Sequence, residues 1–332
     1  MSGAQAREPS GEQISLQLGA QQATVVEVGG GLRAYALGGW DVIDGYGVRE
    51  RCSGGRGQPL LPWPNRLRDG RYVWNGSELQ LDISEPARHN AIHGLVRWRN
   101  WHVRSREPAR VALGHVLHGE PGYPFMLDLE LEYLLEPRGL TVTTSARNIG
   151  PDACPYGAGM HPYFSLGDTT IDSALLTVPA TRRLVNDERA IPVGDEPVDG
   201  VFDFLAPREI GGAQIDACFT GLARDADGDA RISVSAADGS RRLTVWASRE
   251  YEYVMVFTGD TLAPERRRRG VAVEPMTCAP DAFRSGAGLI TLEPGERHVA
   301  RWGVEPVESA GGDSIGSYAG AELPVVHRTS GL

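Results

Sequence analysis

The chain is built from short apolar runs that are separated by glycine, asparagine and proline. In one run, apolar and mostly acidic residues alternate, which places Leu127, Leu129, Leu131 and Tyr133 on the same face of a β-strand. The next run, Leu140–Ala146, is predicted to return antiparallel after a turn. This pattern is typical of a sheet with one buried face.

The same pattern of short apolar runs separated by turn residues continues along most of the chain. The run Arg71–Trp74 ends at Asn75-Gly76, a strong hairpin signal. Further strands are predicted at Ala23–Val28, Ile171–Val178, Ala230–Ala236, Arg242–Ala247, Tyr253–Thr258, Gly270–Val273, Leu289–Leu292 and Val299–Val304. No helix of three turns with caps is apparent, and the spacing of the turns indicates an all-β sandwich.

No linker divides the sandwich. We therefore predict one domain over residues 13–307, with a flexible N-terminal tail at 1–12 and a flexible C-terminal tail at 308–332. Hydrophobic residues make up 41% of the 332 positions, enough for a large core. The 42 Gly and 22 Pro favour many turns over long helices.

Charge and cysteine content narrow the function classes. The formal net charge of −10 argues against nucleic-acid binding, and the basic run Arg266–Arg269 is interpreted as a solvated loop. The four cysteines lie far apart without a CxxC pair, so neither a zinc site nor a disulfide framework is expected. No signal-peptide core or membrane span is apparent, which predicts a cytoplasmic protein without a membrane partner.

Two segments in the first third carry candidate binding groups. In Pro62–Gly70, two prolines hold an aromatic beside Asn65 and Arg66, and Arg66 could bind sugar hydroxyls in a fork. The alternative is a surface loop in which Arg66 caps a carbonyl. In the second segment His93 precedes a glycine, so a ligand could approach it closely, although a structural histidine is also consistent.

Two later segments carry candidate catalytic groups. His161 follows small residues and precedes a proline and two aromatics, which suits a positioned imidazole but also a structural one. Glu274 leaves an apolar strand just before Pro275, where burial would raise its pKa toward useful base strength. His115 and His118 make a poor metal pair, and no phosphate loop or GxSxG motif is present. We therefore expect no metal and no nucleotide cofactor.

Together these segments resemble the aldose 1-epimerase, or galactose mutarotase-like, family, in a less-characterised bacterial branch. The resemblance extends over roughly residues 15–305. The matching stretches are Pro64-Asn65-Arg66 with Asp69-Gly70-Arg71-Tyr72, Asn90–Gly94, His161–Phe164, Glu274–Thr277 and Leu289–Glu296. The resemblance implies a large antiparallel β-supersandwich. It also implies cofactor-independent interconversion of the α and β anomers of a free aldose.

Site roles follow from the same resemblance. It implies Glu274 as general base and His161 as general acid. The residues that it places against the sugar are Arg66 and its motif neighbour Asn65, together with His93, Asp216 and Phe257. Met160 and Pro162 around His161, and Leu95 after His93-Gly94, depart from the galactose enzymes and leave the sugar unidentified.

Mutarotation requires one base and one acid at the anomeric centre. We expect an ionised Glu274 and a protonated His161 on opposite sides of the sugar. One rival substrate is an anionic aldose recognised by Arg66, Arg97 and Arg99. Other rivals are a non-catalytic sugar-binding protein and a glycosidase using Asp216 and Glu274. The expected partner is a small sugar, and the protein is a monomer or homodimer.

Overall fold

A computed structural model describes residues 8–167 and 170–309. Almost all regular structure in this part of the chain is β, which agrees with the predicted fold class. The strands are β1 (Gln13–Leu18), β2 (Gln21–Val26), β3 (Leu32–Leu37), β4 (Trp40–Asp41), β5 (Pro59–Leu60), β6 (Arg66–Arg68), β7 (Arg71–Trp74), β8 (Ser77–Gln80), β9 (Asn90–Ile92), β10 (His102–Glu107), β11 (Arg110–Leu117), β12 (Leu127–Glu136), β13 (Gly139–Asn148), β14 (Cys154–Tyr156), β15 (Gly159–Met160), β16 (Tyr163–Phe164), β17 (Leu175–Thr177), β18 (Ala180–Asn186), β19 (Pro192–Pro197), β20 (Arg208–Glu209), β21 (Asp216–Leu222), β22 (Ala230–Ser235), β23 (Arg241–Ala247), β24 (Tyr253–Phe257), β25 (Val271–Met276), β26 (Ile290–Leu292) and β27 (Arg297–Glu308).

Helical structure is minor. The described residues contain one four-residue helix, α1 (Ala282–Ser285), and 3₁₀ turns at Pro86–Arg88, Ile171–Ser173 and Gly200–Phe202. None of these helices has the length and apolar composition needed to span a membrane. All four cysteines are free thiols.

The strands form two large antiparallel sheets and several small ones. The nine-stranded sheet has the order β10-β11-β12-β13-β27-β23-β22-β17-β20. The eight-stranded sheet has the order β19-β18-β21-β24-β25-β15-β5, with β16 also paired to β25. A four-stranded sheet, β1-β2-β3-β4, and the pairs β14-β26, β6-β9 and β7-β8 complete the fold.

One hydrophobic core contains buried side chains from the four-, eight- and nine-stranded sheets. The predicted apolar face of β12 is confirmed, because Leu127, Leu129, Leu131 and Tyr133 are all fully buried. Burying a side chain of this size contributes roughly 1.5–3 kcal/mol. The predicted return strand is also present, since β12 and β13 pair antiparallel along their whole length.

The predicted hairpin at Asn75-Gly76 is confirmed as well. Strands β7 and β8 pair in register around these two residues. The φ angles of Asn75 and Gly76 are positive, 46° and 79°. Positive φ at both central positions matches the twist of the flanking strands, which is why Asn-Gly is favoured there.

The eight-stranded sheet has two chemically different faces. Because side chains alternate along a strand, one face carries Phe219, Val254, Val256 and Val273, all of which lie in the hydrophobic core. The residues between them point to the opposite face. That opposite face, defined by Asp216, Cys218, Met255, Phe257, Ala272 and Glu274, is called the site face below.

Several sequence predictions need correction. Strand β25 continues to Met276, so Glu274 lies within it instead of leaving it. The predicted strand Ile171–Val178 is a 3₁₀ turn followed by the short β17. The basic run is not simply solvated, because Arg266 pairs with Asp44 and Glu50, and Arg268 pairs with Asp172 and Asp260.

The predicted domain boundaries stay partly untested. Residues 1–7 and 310–332, which make up most of both predicted tails, lie outside the described residues. The first strand begins at Gln13, next to the predicted boundary, and the last strand runs to Glu308. The hydrophobic core draws on residues from Ile14 to Val304.

Candidate active site

Strand pairing brings His161 opposite Glu274. In the antiparallel sheet Gly159 of β15 faces Met276 of β25, and Tyr163 of β16 faces Ala272 of the same strand. His161 lies midway between these two paired positions, so the same register places it opposite Glu274. Two residues more than a hundred positions apart in the chain thereby become neighbours.

The two side chains are in direct contact. His161 Nε2 lies 3.3 Å from Glu274 Oε1. Both residues are nearly inaccessible, with 6% of His161 and 2% of Glu274 exposed. Among the described residues, no hydrogen-bond partner from another residue reaches His161 Nδ1 or Glu274 Oε2. Buried polar atoms without partners are costly, and they are concentrated at functional sites.

This contact corrects the expectation that the two groups stand on opposite sides of a sugar. A sugar ring between the two side chains would need a van der Waals contact of about 3.5 Å or more with each of them. The separation of 3.3 Å between His161 Nε2 and Glu274 Oε1 leaves no room for a ring. A sugar can instead bind with one edge facing both members of the pair. The anomeric hydroxyl oxygen and the ring oxygen are bonded to the same carbon, so adjacent groups suit them.

Burial shifts the pKa values of the two groups in opposite directions. It raises the pKa of Glu274 well above its usual range; the charge of Asp216 adds to this shift and Arg66 opposes it. Burial also lowers the pKa of His161 to about 3, with further lowering by Arg97, Arg56 and Arg66. Both shifts favour the protonated carboxyl and the neutral imidazole over the ion pair that the sequence analysis expected. The pair still holds one transferable proton.

Asp216 and Phe257 share the site face with Glu274. Asp216 pairs with Phe257 across β21 and β24, and Phe257 pairs with Ala272 across β24 and β25. Ala272 is two residues before Glu274, so all these side chains point to the same side of the sheet. Asp216 is exposed, and the ring of Phe257 meets that of Tyr163 edge-on at 6.3 Å. The structure therefore brings these predicted residues toward the pair.

Arg66 lies near the pair, but its guanidinium is already engaged. Its Nε and Nη2 donate to the carboxylate of Glu85 at 2.9 and 3.0 Å. Asn90 donates to the same carboxylate. The main chain of Arg66 is held as well, because its carbonyl accepts a hydrogen bond from the N–H of Asp281. The forked edge that the sequence analysis assigned to sugar hydroxyls is thus occupied by Glu85.

Asn65 and His93 support each other through the backbone. The N–H of Asn65 donates to His93 Nδ1 at 3.2 Å, and the N–H of His93 donates to the carbonyl of Asn65 at 2.9 Å. Both residues have positive φ angles, 56° and 62°. Burial lowers the pKa of His93 well below its usual range, so the ring is neutral. Since Nδ1 accepts a hydrogen bond, the ring proton of His93 must lie on Nε2.

The two histidine rings meet edge to face. Their centroids are 5.3 Å apart and their planes are inclined by 74°. His89, by contrast, is exposed and pairs with Asp69. The structure therefore separates the two histidines of this segment and places only His93 beside His161.

Sequence reasoning missed several residues around the pair. Tyr163 stacks on His161 with centroids 5.0 Å apart, and the guanidinium of Arg56 lies over the ring of that tyrosine. Arg97, which the sequence analysis named only for an anionic aldose, is near enough to lower the pKa of both His93 and His161 by its charge. Glu85 holds Arg66. Tyr163 stood in a motif that was singled out, whereas no local signal distinguishes Glu85 or Arg56.

The described residues contain no group of three or more His, Cys, Asp or Glu side chains that could hold a metal ion. The site itself offers a carboxyl–imidazole pair with neighbouring hydrogen-bond donors.

Comparison with known proteins gives consistent results. A family model described as aldose 1-epimerase matches residues 12–304. The chain is 36% identical to YihR, an uncharacterized protein of Escherichia coli (strain K12), over 291 residues that cover 87% of this chain and 91% of YihR.

Solved structures share the fold at lower identity. One is a putative aldose 1-epimerase from Escherichia coli K12, with a TM-score of 0.78, 20% identity, and coverage of 90% of this chain and 99% of that one. Another is a GalM/aldose epimerase homologue from C. elegans, with a TM-score of 0.81, 15% identity, and coverage of 90% and 99%. A third is galactose 1-epimerase from Lactobacillus acidophilus NCFM, with a TM-score of 0.76, 21% identity, and coverage of 90% and 95%.

Proposed function

The chain belongs to the aldose 1-epimerase family, and on that premise we propose that it interconverts the α and β anomers of a free aldose. Glu274 acts as the general base and His161 as the general acid. The observation that carries the proposal is the buried contact between His161 Nε2 and Glu274 Oε1 at 3.3 Å. The pair supplies one proton donor and one proton acceptor, as the reaction requires.

The reaction begins with transfer of the shared proton from Glu274 to His161 when the sugar binds. Glu274 then takes the proton of the anomeric hydroxyl while His161 protonates the ring oxygen. The bond between C1 and the ring oxygen breaks, and C1 becomes an aldehyde carbon. Rotation about C1–C2 followed by the reverse proton transfers closes the ring with the other configuration. Protons and electrons balance, and no oxidant or reductant is consumed.

Neighbouring groups bind the sugar. His93, with its proton on Nε2, donates a hydrogen bond to a sugar oxygen while Asn65 fixes its orientation. Asp216 accepts from a hydroxyl at the exposed side, and Phe257 packs against the sugar. Arg66, held by Glu85, contributes mainly its positive charge and its remaining N–H groups.

The test is an anomer-exchange measurement by NMR on purified protein, with neutral hexoses, hexuronates and hexose phosphates as substrates. Catalysed exchange of at least one of these sugars is the expected result. Binding of a sugar without any catalysed exchange would instead favour a non-catalytic sugar-binding protein. Failure to accelerate exchange of any sugar in the panel contradicts the proposal.

A second candidate is an aldose that carries a negative charge, and Arg97 favours it. Of the three arginines considered from the sequence, Arg66 pairs with Glu85 and Arg99 pairs with Glu120. Within the described ranges Arg97 forms no ion pair; its Nη2 donates to the carbonyl of Ile92 and its Nε has no partner. Burial disfavours the charged form of Arg97 and lowers its pKa, and an anion beside it would stabilise that charge.

The variant Arg97→Met separates the two candidates. If the substrate is anionic, the variant raises KM for hexuronates or hexose phosphates by about 10-fold or more and changes KM for neutral hexoses little, because charge-assisted hydrogen bonds contribute about 1.5–3 kcal/mol. Arg104→Met is the matched control, since Arg104 pairs with Asp128 and Glu130 on the nine-stranded sheet. Equal KM changes for neutral and anionic sugars would remove the second candidate.

A further inference from the structure

Arg56 is a buried arginine that the reaction above does not use. Only 2% of it is exposed, and its Nε and Nη2 each donate to Asp44 Oδ2 at 3.1 Å. Its Nη1 donates to the carbonyl of Ser53 at 3.0 Å. Nearly all of its hydrogen-bonding capacity is therefore satisfied inside the protein, and the guanidinium plane is held in one orientation.

Arg56 packs on Tyr163, and Tyr163 in turn stacks on His161. The guanidinium carbon of Arg56 lies 4.8 Å from the ring centroid of Tyr163. The ring of Tyr163 lies nearly parallel to that of His161, with an interplanar angle of 18° and centroids 5.0 Å apart. The hydroxyl of Tyr163 donates to the carbonyl of Gly54, which prevents the ring from sliding.

The main chain holds the same layers together. The N–H of Asp44 donates to the carbonyl of Tyr163, and the N–H of Gly57 donates to the carbonyl of His161. Gly55 passes so close to the imidazole that a β-carbon there would lie 2.8 Å from His161 Cδ2. The loop that carries Arg56 is therefore attached directly to the segment that carries the acid.

A histidine in an active site is commonly oriented by a hydrogen bond to its second ring nitrogen. His161 Nδ1 receives none from another described residue. Packing therefore contributes to holding the ring so that Nε2 faces Glu274. The stack of Arg56 and Tyr163 is positioned to do this.

We propose that Arg56 is a positioning residue, which helps to hold the His161 imidazole toward Glu274 by fixing the ring of Tyr163 on which the imidazole stacks. The expected changes in kcat and KM rest on the proposed function, whereas the orientation of the His161 ring does not depend on it. Asp44 fixes Arg56, and Arg266 in turn donates to Asp44 Oδ1 from the outer side. Proton transfer depends steeply on donor position, so a loosened ring lowers turnover more than sugar affinity.

The experiment compares Arg56→Met with Arg241→Met. Arg241 is a matched control, because it also lies over an aromatic ring, that of Trp40, and pairs with Glu308, but it does not pack on a residue of the site. Arg56→Met is expected to lower kcat by about 10- to 100-fold and to change KM by less than about threefold. Arg241→Met should keep the kcat of the wild type.

A second variant guards against misfolding, since removing Arg56 leaves Asp44 buried with less compensation. Tyr163→Leu removes the stacking ring while the Arg56–Asp44 pair stays intact, and it should lower kcat to a similar extent. Tyr163→Phe, which keeps the ring, should recover most of that loss. If Arg56→Met does not fold, Arg56→Met/Asp44→Asn takes its place.

A readout independent of activity completes the test. The ring nitrogens of His161 are followed by NMR in protein labelled with ¹⁵N-histidine and assigned with His161→Asn. Their chemical shifts should change or broaden in Arg56→Met and Tyr163→Leu and stay constant in Arg241→Met. Unchanged His161 signals in both variants, or kcat within about threefold of wild type in both, overturns the proposal. If the wild type catalyses no anomer exchange, the proposed function fails. The His161 chemical shifts alone then decide whether Arg56 positions the ring.

Discussion

The two faces of the eight-stranded sheet are built by the same strands and carry opposite chemistry. In β25, Val271 and Val273 point into the hydrophobic core, while Ala272 and Glu274 point to the site face. Both faces are buried at this strand, so exposure does not distinguish them. The difference lies in what surrounds each side chain. On one side apolar groups fill space, and on the other a carboxyl meets an imidazole.

This comparison shows how the protein tolerates a costly site. A buried carboxyl and a buried imidazole with unpaired atoms are unfavourable for folding. The core face supplies apolar burial on the same strands. The two faces should therefore respond differently to substitution: the core face through stability and the site face through turnover.

The largest expected effect is that of Glu274→Gln on turnover. The amide keeps the size of the side chain and loses the base, so kcat should fall by about 10²–10⁴-fold while KM changes far less. NMR anomer exchange measures the rate, and thermal melting verifies the fold. A variant that exchanges anomers at close to the wild-type rate would remove Glu274 from its role.

The counterpart on the core face is Phe219→Ala. Phe219 is 1% exposed in β21, next to Cys218 of the site face. Its removal leaves a cavity and should lower the free energy of unfolding by about 3–5 kcal/mol, measured by urea denaturation. At temperatures where the variant is folded, kcat should stay close to wild type. A large loss of kcat in the folded variant would show that the two faces are not separable.

The pH dependence of stability distinguishes the faces further. Because the pKa of Glu274 is raised in the folded state, its contribution to stability is present below its unfolded value, near 4.3, and is lost as pH rises toward the folded value. Glu274→Gln should therefore gain stability relative to wild type by about 1.4 kcal/mol per pH unit in this window. The change caused by Phe219→Ala should not vary with pH, and urea denaturation between pH 5 and 7 compares the two.

The smallest expected effect is that of Asp216→Asn. Asp216 is exposed, so its contacts are screened by water, and KM should rise by no more than about fivefold. Removing its charge lowers the pKa of Glu274, since that charge raises it. The alkaline limb of the kcat/KM profile should consequently move to lower pH. A limb that moves to higher pH would show that Asp216 acts on Glu274 in another way.

Local patterns predicted much of the fold. Alternation identified the buried face of β12, and Asn75-Gly76 identified the β7–β8 hairpin. The strands that were missed include β10, in which every residue is exposed, and β19, which is also largely exposed. These strands lie at sheet edges, where no alternating apolar pattern is required.

The candidate site was predicted less completely. Local texture and the family resemblance pointed to His161 and Glu274, and the structure places them in contact. Neither indicated that Glu85 occupies the fork of Arg66, or that Arg56 lies over Tyr163. Such pairings join residues from different strands and loops. No spacing along the chain encodes them.

The sequence by itself determined which residues are apolar, where the chain turns and which side chains can exchange protons, because these properties are local. The tertiary structure alone decided that β15 and β16 flank β25 in the register that places His161 opposite Glu274. It also decided the direction in which the pKa of each group shifts, since a pKa depends on burial and on nearby charges. Both are fixed only when distant strands become neighbours.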